Sequence, residues 1–236
     1  MLGLYRRNET LFAVLWIVLY VVVCGNLRNL GDDSPYMTVG LLAMALSLLR
    51  FVMRNELAGK YGLTSWPKNQ ARLLYLVPLW AITSGNLWGG VSPHYEGPGL
   101  VCAVISMALV GILEELIFRG LLFKAMLAKG SDAKAIVICA VTFGIGHIVN
   151  LLTGHLMLET LVQIVFAVSV GFVFTLVFYR GGSLLPPMLA HSLIDVFSLA
   201  SNREGVLGWA IVAISILVAI AYSIYLWRLD TTGDRR

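Results

Sequence analysis

The stretch Leu100–Phe123 reads LVCAVISMALVGILEELIFRGLLF, and it decides the fold class of this 236-residue chain. An α-helix needs about 20 mainly apolar residues to cross roughly 30 Å of hydrocarbon, and this stretch meets that length. Three charged residues, Glu114, Glu115 and Arg119, nevertheless stand inside it. A charge at the bilayer centre costs roughly 2.5–3.5 kcal/mol on insertion scales, so charges at such positions indicate function.

The composition of the whole chain also indicates a membrane protein. Hydrophobic residues make up 58% of it and charged residues 13%, and the mean hydropathy is +0.83. Soluble domains carry about 25% charged residues, so a surface facing water on all sides is excluded. The three cysteines stand in apolar runs without C-x-x-C spacing and are interpreted as small buried hydrophobes.

Eight stretches approach the length of a span, and we predict an all-α membrane protein of about eight transmembrane helices. Prolines interrupt the third and seventh stretches, but proline costs little in the first turn of a helix. No soluble domain or repeat is evident, so residues 1–236 are predicted to form one polytopic domain. The predicted spans are Leu11–Leu27, Tyr36–Met53, Leu73–Trp88, Leu100–Phe123, Ala135–Leu152, Leu158–Tyr179, Leu184–Leu199 and Leu207–Trp227.

The Lys and Arg residues fall mostly on one side of these spans. Of 17 in all, Arg119 lies inside a span, 14 lie on the side of the N-terminus, and Arg28 and Arg203 lie on the other side. Because cytoplasmic loops carry an excess of Lys and Arg, both termini are predicted to be cytoplasmic. The short loops favour a bacterial plasma membrane. The connection Arg54–Arg72 fits either an amphipathic helix on the inner leaflet or a polar loop.

Six ionisable residues fall well inside the predicted spans. Counted at 1.5 Å per residue from the cytoplasmic ends of the helices, their depths are similar: about 15 Å for Glu114, about 20 Å for His147, and about 12 and 18 Å for His191 and Asp195. Three helices would thus place polar groups in one layer between the midplane and the cytoplasmic side, which predicts a single site inside the bundle. The six residues are Glu114, Glu115, Arg119, His147, His191 and Asp195.

Helical phase separates the two adjacent carboxylates of the fourth span. Glu115 and Arg119 are four residues apart and are predicted to form a structural ion pair. Glu114 is rotated by about 100° from Glu115, so we interpret it as the working carboxylate.

The other two helices also present their polar residues at helical spacing. His191 and Asp195 are four residues apart and can face one cavity. Phe143 lies one turn before His147 and is predicted to wall the same pocket.

Two histidines, a Glu and an Asp around one cavity suit the activation of water by a general base. The same four side chains, Glu114, His147, His191 and Asp195, are also acceptable ligands for one Zn²⁺, with a position left open for water. The H-E-x-x-H spacing of a typical zinc site is absent. The residues therefore leave both possibilities open, no cofactor or one Zn²⁺.

The order of these motifs resembles the CPBP family of CAAX proteases and bacteriocin-processing enzymes, also called the Abi family, which includes the eukaryotic Ras-converting CAAX endopeptidase. The resemblance covers roughly Leu100–Leu199, a family-like catalytic core at about residues 100–199. Any one motif is unspecific, but three in order on successive helices are specific. The motifs are Glu114-Glu115-x-x-x-Arg119, Phe143-x-x-x-His147 and His191-x-x-x-Asp195.

The resemblance implies an intramembrane endopeptidase of about eight helices, with a catalytic cone open to the cytoplasm. It implies that Glu114 activates water with His147, and that His191 stabilises the oxyanion together with the residue four positions later. It also implies that Glu115 and Arg119 orient the site.

One residue departs from the pattern of the CAAX enzyme, because Asp195 stands where that enzyme has an asparagine. Asp195 must be protonated to donate a hydrogen bond as asparagine does, or else it acts as a ligand or a base. The departure puts the oxyanion role in question and leaves the family resemblance intact.

Other types of intramembrane protease fit less well. The G-x-S-G turn of rhomboids and the G-x-G-D motif of presenilin-like enzymes are absent. Ser192 is predicted to serve helix packing, and His155 to form a hydrogen bond between helices.

We therefore predict an intramembrane protease that hydrolyses a peptide bond in a membrane-anchored or apolar substrate, either with a glutamate-activated water or as a metalloprotease. The expected partners are the lipid bilayer and a membrane-associated peptide or protein, with no nucleic acid. The alternatives are a non-proteolytic scaffold or immunity protein, or a proton-coupled transporter. A transporter would be expected to have polar groups on both sides of the midplane and an internal repeat, and the sequence has neither.

Overall fold

The computed structural model describes residues 1–153, 156–202 and 205–229, and most of these residues are helical. Short 3-10 segments and one π-helical segment, Leu116–Phe123, join some of the α-helices. The predicted all-α fold class is confirmed. The α-helices are α1 (Leu2–Arg7), α2 (Glu9–Arg28), α3 (Pro35–Arg54), α4 (Val77–Ser84), α5 (Gly97–Glu115), α6 (Lys124–Leu127), α7 (Asp132–Ile145), α8 (Met157–Gly181), α9 (Leu185–Ser198) and α10 (Gly205–Arg228).

Six helical stretches among the described residues are long and apolar enough to cross a membrane, so the protein is a multi-pass integral membrane protein. They comprise α2, α3, α8 and α10, the run Gly97–Leu127 and the run Asp132–Leu151. The predicted count of eight is not reached, because α4 has 8 residues and α9 has 14. Both of these helices have prolines in their first turns, where proline is well tolerated.

Hydrogen bonds between connections define two faces of the bundle. On one face, Lys68 N donates to Gly181 O at 3.1 Å and Leu184 N to Gly62 O at 2.9 Å. We call it the basic face; it comprises the N-terminus, the end of α10 and the connections 55–73, 128–131 and 182–184. On the other, His94 N donates to Leu199 O at 3.0 Å. This opposite face comprises the connections 29–34, 88–96, 146–153 and 199–202.

Close helix contacts at small residues hold the four helices of residues 97–198 together. Gly111 of α5 lies against α9, where an added Cβ would come within 2.5 Å of the Ser192 nitrogen. Ser192 Oγ donates to the Ala108 carbonyl at 2.9 Å, which confirms its predicted packing role. Gly144 of α7 packs in the same way on Val168 of α8. These contacts fix how α9 and α7 present their side chains to α5.

The long connection of the basic face consists of turns and bends, so of the two alternatives the polar loop is present. Gly62 is required there, because its φ is +64° and an added Cβ would meet the Gly182 carbonyl at 2.5 Å. His155, predicted to bond between helices, lies outside the described residues.

Candidate active site

A buried ion pair lies beneath the site. Arg119 Nη1 lies 2.8 Å from Glu115 Oε1, and both side chains are fully buried. The predicted pair is therefore present, at the junction where α5 passes into the π-helical segment. The Arg119 guanidinium also lies 4.1 Å from the ring centroid of Phe143 and 5.4 Å from that of Phe174. Pairing and cation–π contacts offset part of the cost of burying this charge.

His191 contacts this ion pair and is held in a fixed orientation. Its Nδ1 lies 2.9 Å from Glu115 Oε1, and its ring meets those of Phe143 and Phe174 at centroid distances of 5.5 and 5.4 Å. Because the Glu115 carboxylate is an acceptor, Nδ1 carries the proton. The other ring nitrogen, Nε2, is thereby left for contacts with the remaining acidic groups.

Glu114 and Asp195 flank that second nitrogen. His191 Nε2 lies 3.6 Å from Glu114 Oε2 and 3.6 Å from Asp195 Oδ2. These distances exceed a direct hydrogen bond, so the gap suits an atom that bridges the two groups. The side chains are 14% and 24% exposed, whereas that of Glu115 is fully buried. The three predicted residues Glu114, His191 and Asp195 thus come together.

Tyr20 of α2 is a site residue that the sequence analysis missed. Its hydroxyl donates to Glu114 Oε1 at 2.7 Å, although the two residues are 94 positions apart. Its side chain is buried, at 5% exposure. The residue gave no sequence signal, because a tyrosine in an apolar span usually belongs to an interfacial belt. The working carboxylate therefore has one oxygen held and one oxygen directed at His191.

His147 lies just beyond the end of α7, in the 3-10 segment Gly146–Thr153. Its ring meets Phe143 edge-on at a centroid distance of 5.6 Å, which agrees with the predicted wall role of Phe143. The sequence analysis placed His147 in a helix running to Leu152, but α7 ends at Ile145. His147 nevertheless lies within the run Asp132–Leu151 that is long enough to cross a membrane, and its predicted depth stays a prediction.

The described acidic and histidine side chains are not gathered around one point as metal ligands in this structure. Among residues 1–153, 156–202 and 205–229, no three His, Cys, Asp or Glu side chains converge as a metal-binding group. The four side chains considered as zinc ligands, those of Glu114, His147, His191 and Asp195, are included in that statement.

A cavity of about 1040 Å³ borders part of the site. His147, His191 and Asp195 line it, together with residues from several helices. It reaches the opposite face, where its walls include Asp32 and Tyr95. A second cavity of about 410 Å³ lies along α2 and is lined by Tyr20 and Glu114 as well as by His147, His191 and Asp195. The expected catalytic cone and its opening to the cytoplasm stay predictions.

Comparison with known proteins gives one match. Residues 96–197 match the family model described as type II CAAX prenyl endopeptidase Rce1-like. This segment begins before α5, ends within α9 and contains all three motifs identified in the sequence. No curated protein and no solved structure matches the chain. Tyr20, by contrast, lies outside the matched segment.

Proposed function

Over residues 96–197 the chain belongs to the family of CAAX-type endopeptidases, and on this premise we propose that it hydrolyses peptide bonds with a water activated by Glu114. The observation that carries the proposal is the position of two carboxylates beside one imidazole. Glu114 Oε2 and Asp195 Oδ2 each lie 3.6 Å from His191 Nε2. The family implies a protease of the membrane with a peptide substrate.

Glu114 is the general base. Tyr20 holds its Oε1 at 2.7 Å, which leaves Oε2 to accept a proton from water. His147 lines the same cavity and would hold the water from the other side. As the proton moves to Glu114, the hydroxide oxygen bonds to the carbonyl carbon of the substrate.

His191 and Asp195 stabilise the oxyanion that this attack produces. The imidazolium form of His191 donates from Nε2, since Nδ1–H is engaged by Glu115. Asp195 donates a second hydrogen bond in its protonated form. Glu114 then gives its proton to the amide nitrogen as the C–N bond of the substrate breaks. The Glu114 carboxylate is thereby regenerated, and one water is consumed.

A substitution that changes one heavy atom of the Glu114 carboxylate tests its role as the general base. Glu114→Gln keeps an oxygen for Tyr20 but cannot take a proton, and we expect cleavage of a membrane-anchored reporter peptide to fall at least 100-fold. Glu56→Gln, on the exposed basic-face connection, is the control and should cleave normally. His191→Ala should also lose activity. Unchanged cleavage in both site variants would contradict the protease function and favour a scaffold.

Chelation separates the two mechanisms that the residues allow. The proposed metal-free hydrolysis should persist in a strong zinc chelator, and the purified active protein should contain less than one zinc per chain. Loss of activity on chelation with recovery on added Zn²⁺ would instead support zinc as a cofactor. That result would leave the protease function intact and overturn the metal-free mechanism.

A further inference from the structure

Helix α2 forms one wall of the cavity that holds the working carboxylate. This cavity of about 410 Å³ is lined by Glu114 and by several residues of α2, among them Tyr20, whose hydroxyl donates to Glu114. Tyr20, Cys24 and Arg28 all line it and are spaced four residues apart, so they lie along one face of the helix. This face leads from Glu114 to Arg28, the last residue of α2. Helix α2 lies outside residues 96–197, the segment that matches the family model.

Arg28 is the cation of this cavity. Among the described residues that line this cavity or the larger one beside it, Arg28 is the only lysine or arginine. Its side chain is exposed, and no ion pair between described residues includes it. Asp32 lies four positions later and lines the larger cavity, yet these two side chains do not form an ion pair. The guanidinium group is therefore available to an anionic ligand.

The charges along the cavity favour an anion at one end only. Glu114 and Asp195 both line the cavity close to His191, so a substrate carboxylate beside the scissile bond would meet two acidic groups. Like charges repel at short range, whereas a guanidinium group binds a carboxylate through two parallel hydrogen bonds. A carboxylate of the substrate is therefore stabilised at the Arg28 end of the cavity and destabilised beside Glu114.

The distance between the two ends determines where that carboxylate lies in the substrate. Arg28 follows Tyr20 by eight positions, which is about 12 Å along the helix axis at 1.5 Å per residue. An extended peptide rises about 3.3 Å per residue, so, with the reach of the arginine side chain, this distance corresponds to about two to four residues. The anionic group is thus close to the scissile bond but not adjacent to it.

We propose that Arg28 is a substrate-binding residue, and that it selects peptides with a carboxylate about two to four residues from the scissile bond. The carboxylate belongs to an Asp or Glu side chain or to the C-terminus of the substrate. The inference rests on the proposed function for the reaction itself. It adds to that function a charge that the substrate carries and the residue of α2 that recognises it.

Matched reporter peptides with one scissile bond and one membrane anchor test the preference for charge. The first set carries either Asp or Asn at a single position, two to four residues to either side of the bond. The second set ends two to four residues after the bond, with either a free carboxylate or an amide. The wild type should cleave at least one charged member with a kcat/KM about tenfold or more above that of its uncharged partner. A preference in the first set assigns a side-chain carboxylate, and one in the second set assigns the C-terminus.

Substitutions at Arg28 should remove this preference without removing cleavage. Arg28→Gln should raise KM for the charged reporter about tenfold or more, while the uncharged reporter is cleaved as by the wild type. Arg28→Lys should restore part of the preference, because lysine keeps the charge but not the paired hydrogen bonds. Arg54→Gln is the matched control, since Arg54 is likewise the exposed last residue of a helix, α3, and it should keep the full preference.

Two results would overturn the proposal. One is equal cleavage of charged and uncharged reporters by the wild type, and the other is an equal loss on all reporters in Arg28→Gln, as a structural role would give. Asp32→Asn tests one such role: it should keep the preference, and a loss as large as that of Arg28→Gln would make Arg28 a structural partner of Asp32.

A binding measurement distinguishes the failure of this proposal from the failure of the proposed function. Glu114→Gln protein is titrated with the fluorescent charged reporter, and adding Arg28→Gln should weaken the affinity about tenfold or more. If no reporter were cleaved by the wild type but this loss of affinity were observed, the protease function would be contradicted and the role of Arg28 supported. Equal affinity in both proteins would overturn the role of Arg28 whether or not cleavage is seen.

Discussion

Glu114 and Glu115 are neighbours in sequence, yet they make entirely different contacts. Glu115 is fully buried and engages both Arg119 and His191 through the same oxygen, Oε1. Glu114 is partly exposed to the cavity and accepts a hydrogen bond from Tyr20. Helical phase predicted this separation, because adjacent positions on a helix point about 100° apart. The partner of Glu114 was not predictable from phase.

Tyr20→Phe removes one hydroxyl group and is the test of that partner. A hydrogen bond to a charged group contributes about 1.5–3 kcal/mol, so a loss of roughly tenfold or more in kcat is expected, with KM little changed. Tyr36→Phe, on the exposed side of α3, is the matched control. A purely structural tyrosine would lower the melting temperature and leave kcat per folded molecule unchanged.

Asp195 can be tested by restoring the residue of the CAAX enzyme. Asp195→Asn donates a hydrogen bond without needing a proton, so it should keep activity within about tenfold of the wild type, whereas Asp195→Ala should lose more than that. Steady-state cleavage of the same reporter measures both. If the asparagine variant were as inactive as the alanine variant, Asp195 would act as a base or a ligand and not as a donor.

At the scale of elements, the contact between α5 and α9 positions the site. An alanine at Gly111 would bring its Cβ within 2.8 Å of three atoms of Ser192, one residue after His191. Gly111→Ala should therefore push α9 away, cost about 1–3 kcal/mol of stability and reduce cleavage. Thermal unfolding in detergent measures the first effect. Gly3→Ala, with open space around it in α1, should change neither quantity.

The sequence predicted the helices better than it predicted their ends. Hydrophobic length located the long spans, and proline chemistry located the start of α9. Hydropathy cannot detect that α7 stops at Ile145, since the apolar run continues through the 3-10 segment. It also cannot distinguish an α-helix from the π-helical segment Leu116–Phe123, which differs in hydrogen bonding and not in composition.

Tyr20 was not predicted for a related reason. Its partner Glu114 lies in another helix, and one sequence carries no signal of which helices are neighbours. The three motifs of residues 114–195 were recognisable because each has its own helical spacing. The direction in which the cavity opens likewise depends on how whole helices are arranged.

At the scale of the whole molecule, Lys60 ties the N-terminal helices to the long basic-face connection. Its Nζ lies 2.7 Å from Glu9 and 2.8 Å from the hydroxyl of Tyr5. Burial lowers the pKa of Lys60, but the hydrogen bonds that it donates to these partners outweigh burial, so the pKa is raised above its usual value. The stabilisation is then complete below the usual lysine pKa and is lost as pH rises through the raised value.

Lys60→Met should therefore destabilise the protein near pH 8, and the difference from the wild type should shrink as the pH rises above the usual lysine pKa of roughly 10.4. Because both side chains are about a third exposed, solvent screening limits the expected effect to less than about 1 kcal/mol. Melting temperatures of the two proteins across this range measure it. Lys129→Met, on the same face, should follow the wild type at every pH.

The shortness of α4 and α9 has a consequence for the lipid around them. With 8 and 14 residues they extend only about 12 and 21 Å, against roughly 30 Å of hydrocarbon. They are neighbours, and Asn86, in the 3-10 segment that follows α4, donates from Nδ2 to Ile194 O of α9 at 2.6 Å. A bilayer next to such a pair must thin or tilt its chains, at fractions of a kcal/mol per Å of mismatch.

His191 and Asp195 lie on α9, one of these two short helices. We therefore expect the rate of cleavage to depend on the length of the lipid acyl chains. In liposomes of short-chain phosphatidylcholine the mismatch is small, and cleavage should be faster than in long-chain liposomes at equal protein content. Equal rates across the series would mean that the neighbouring long helices shield α4 and α9 from lipid. In that case the cleavage rate would not depend on membrane thickness, which differs among cellular membranes.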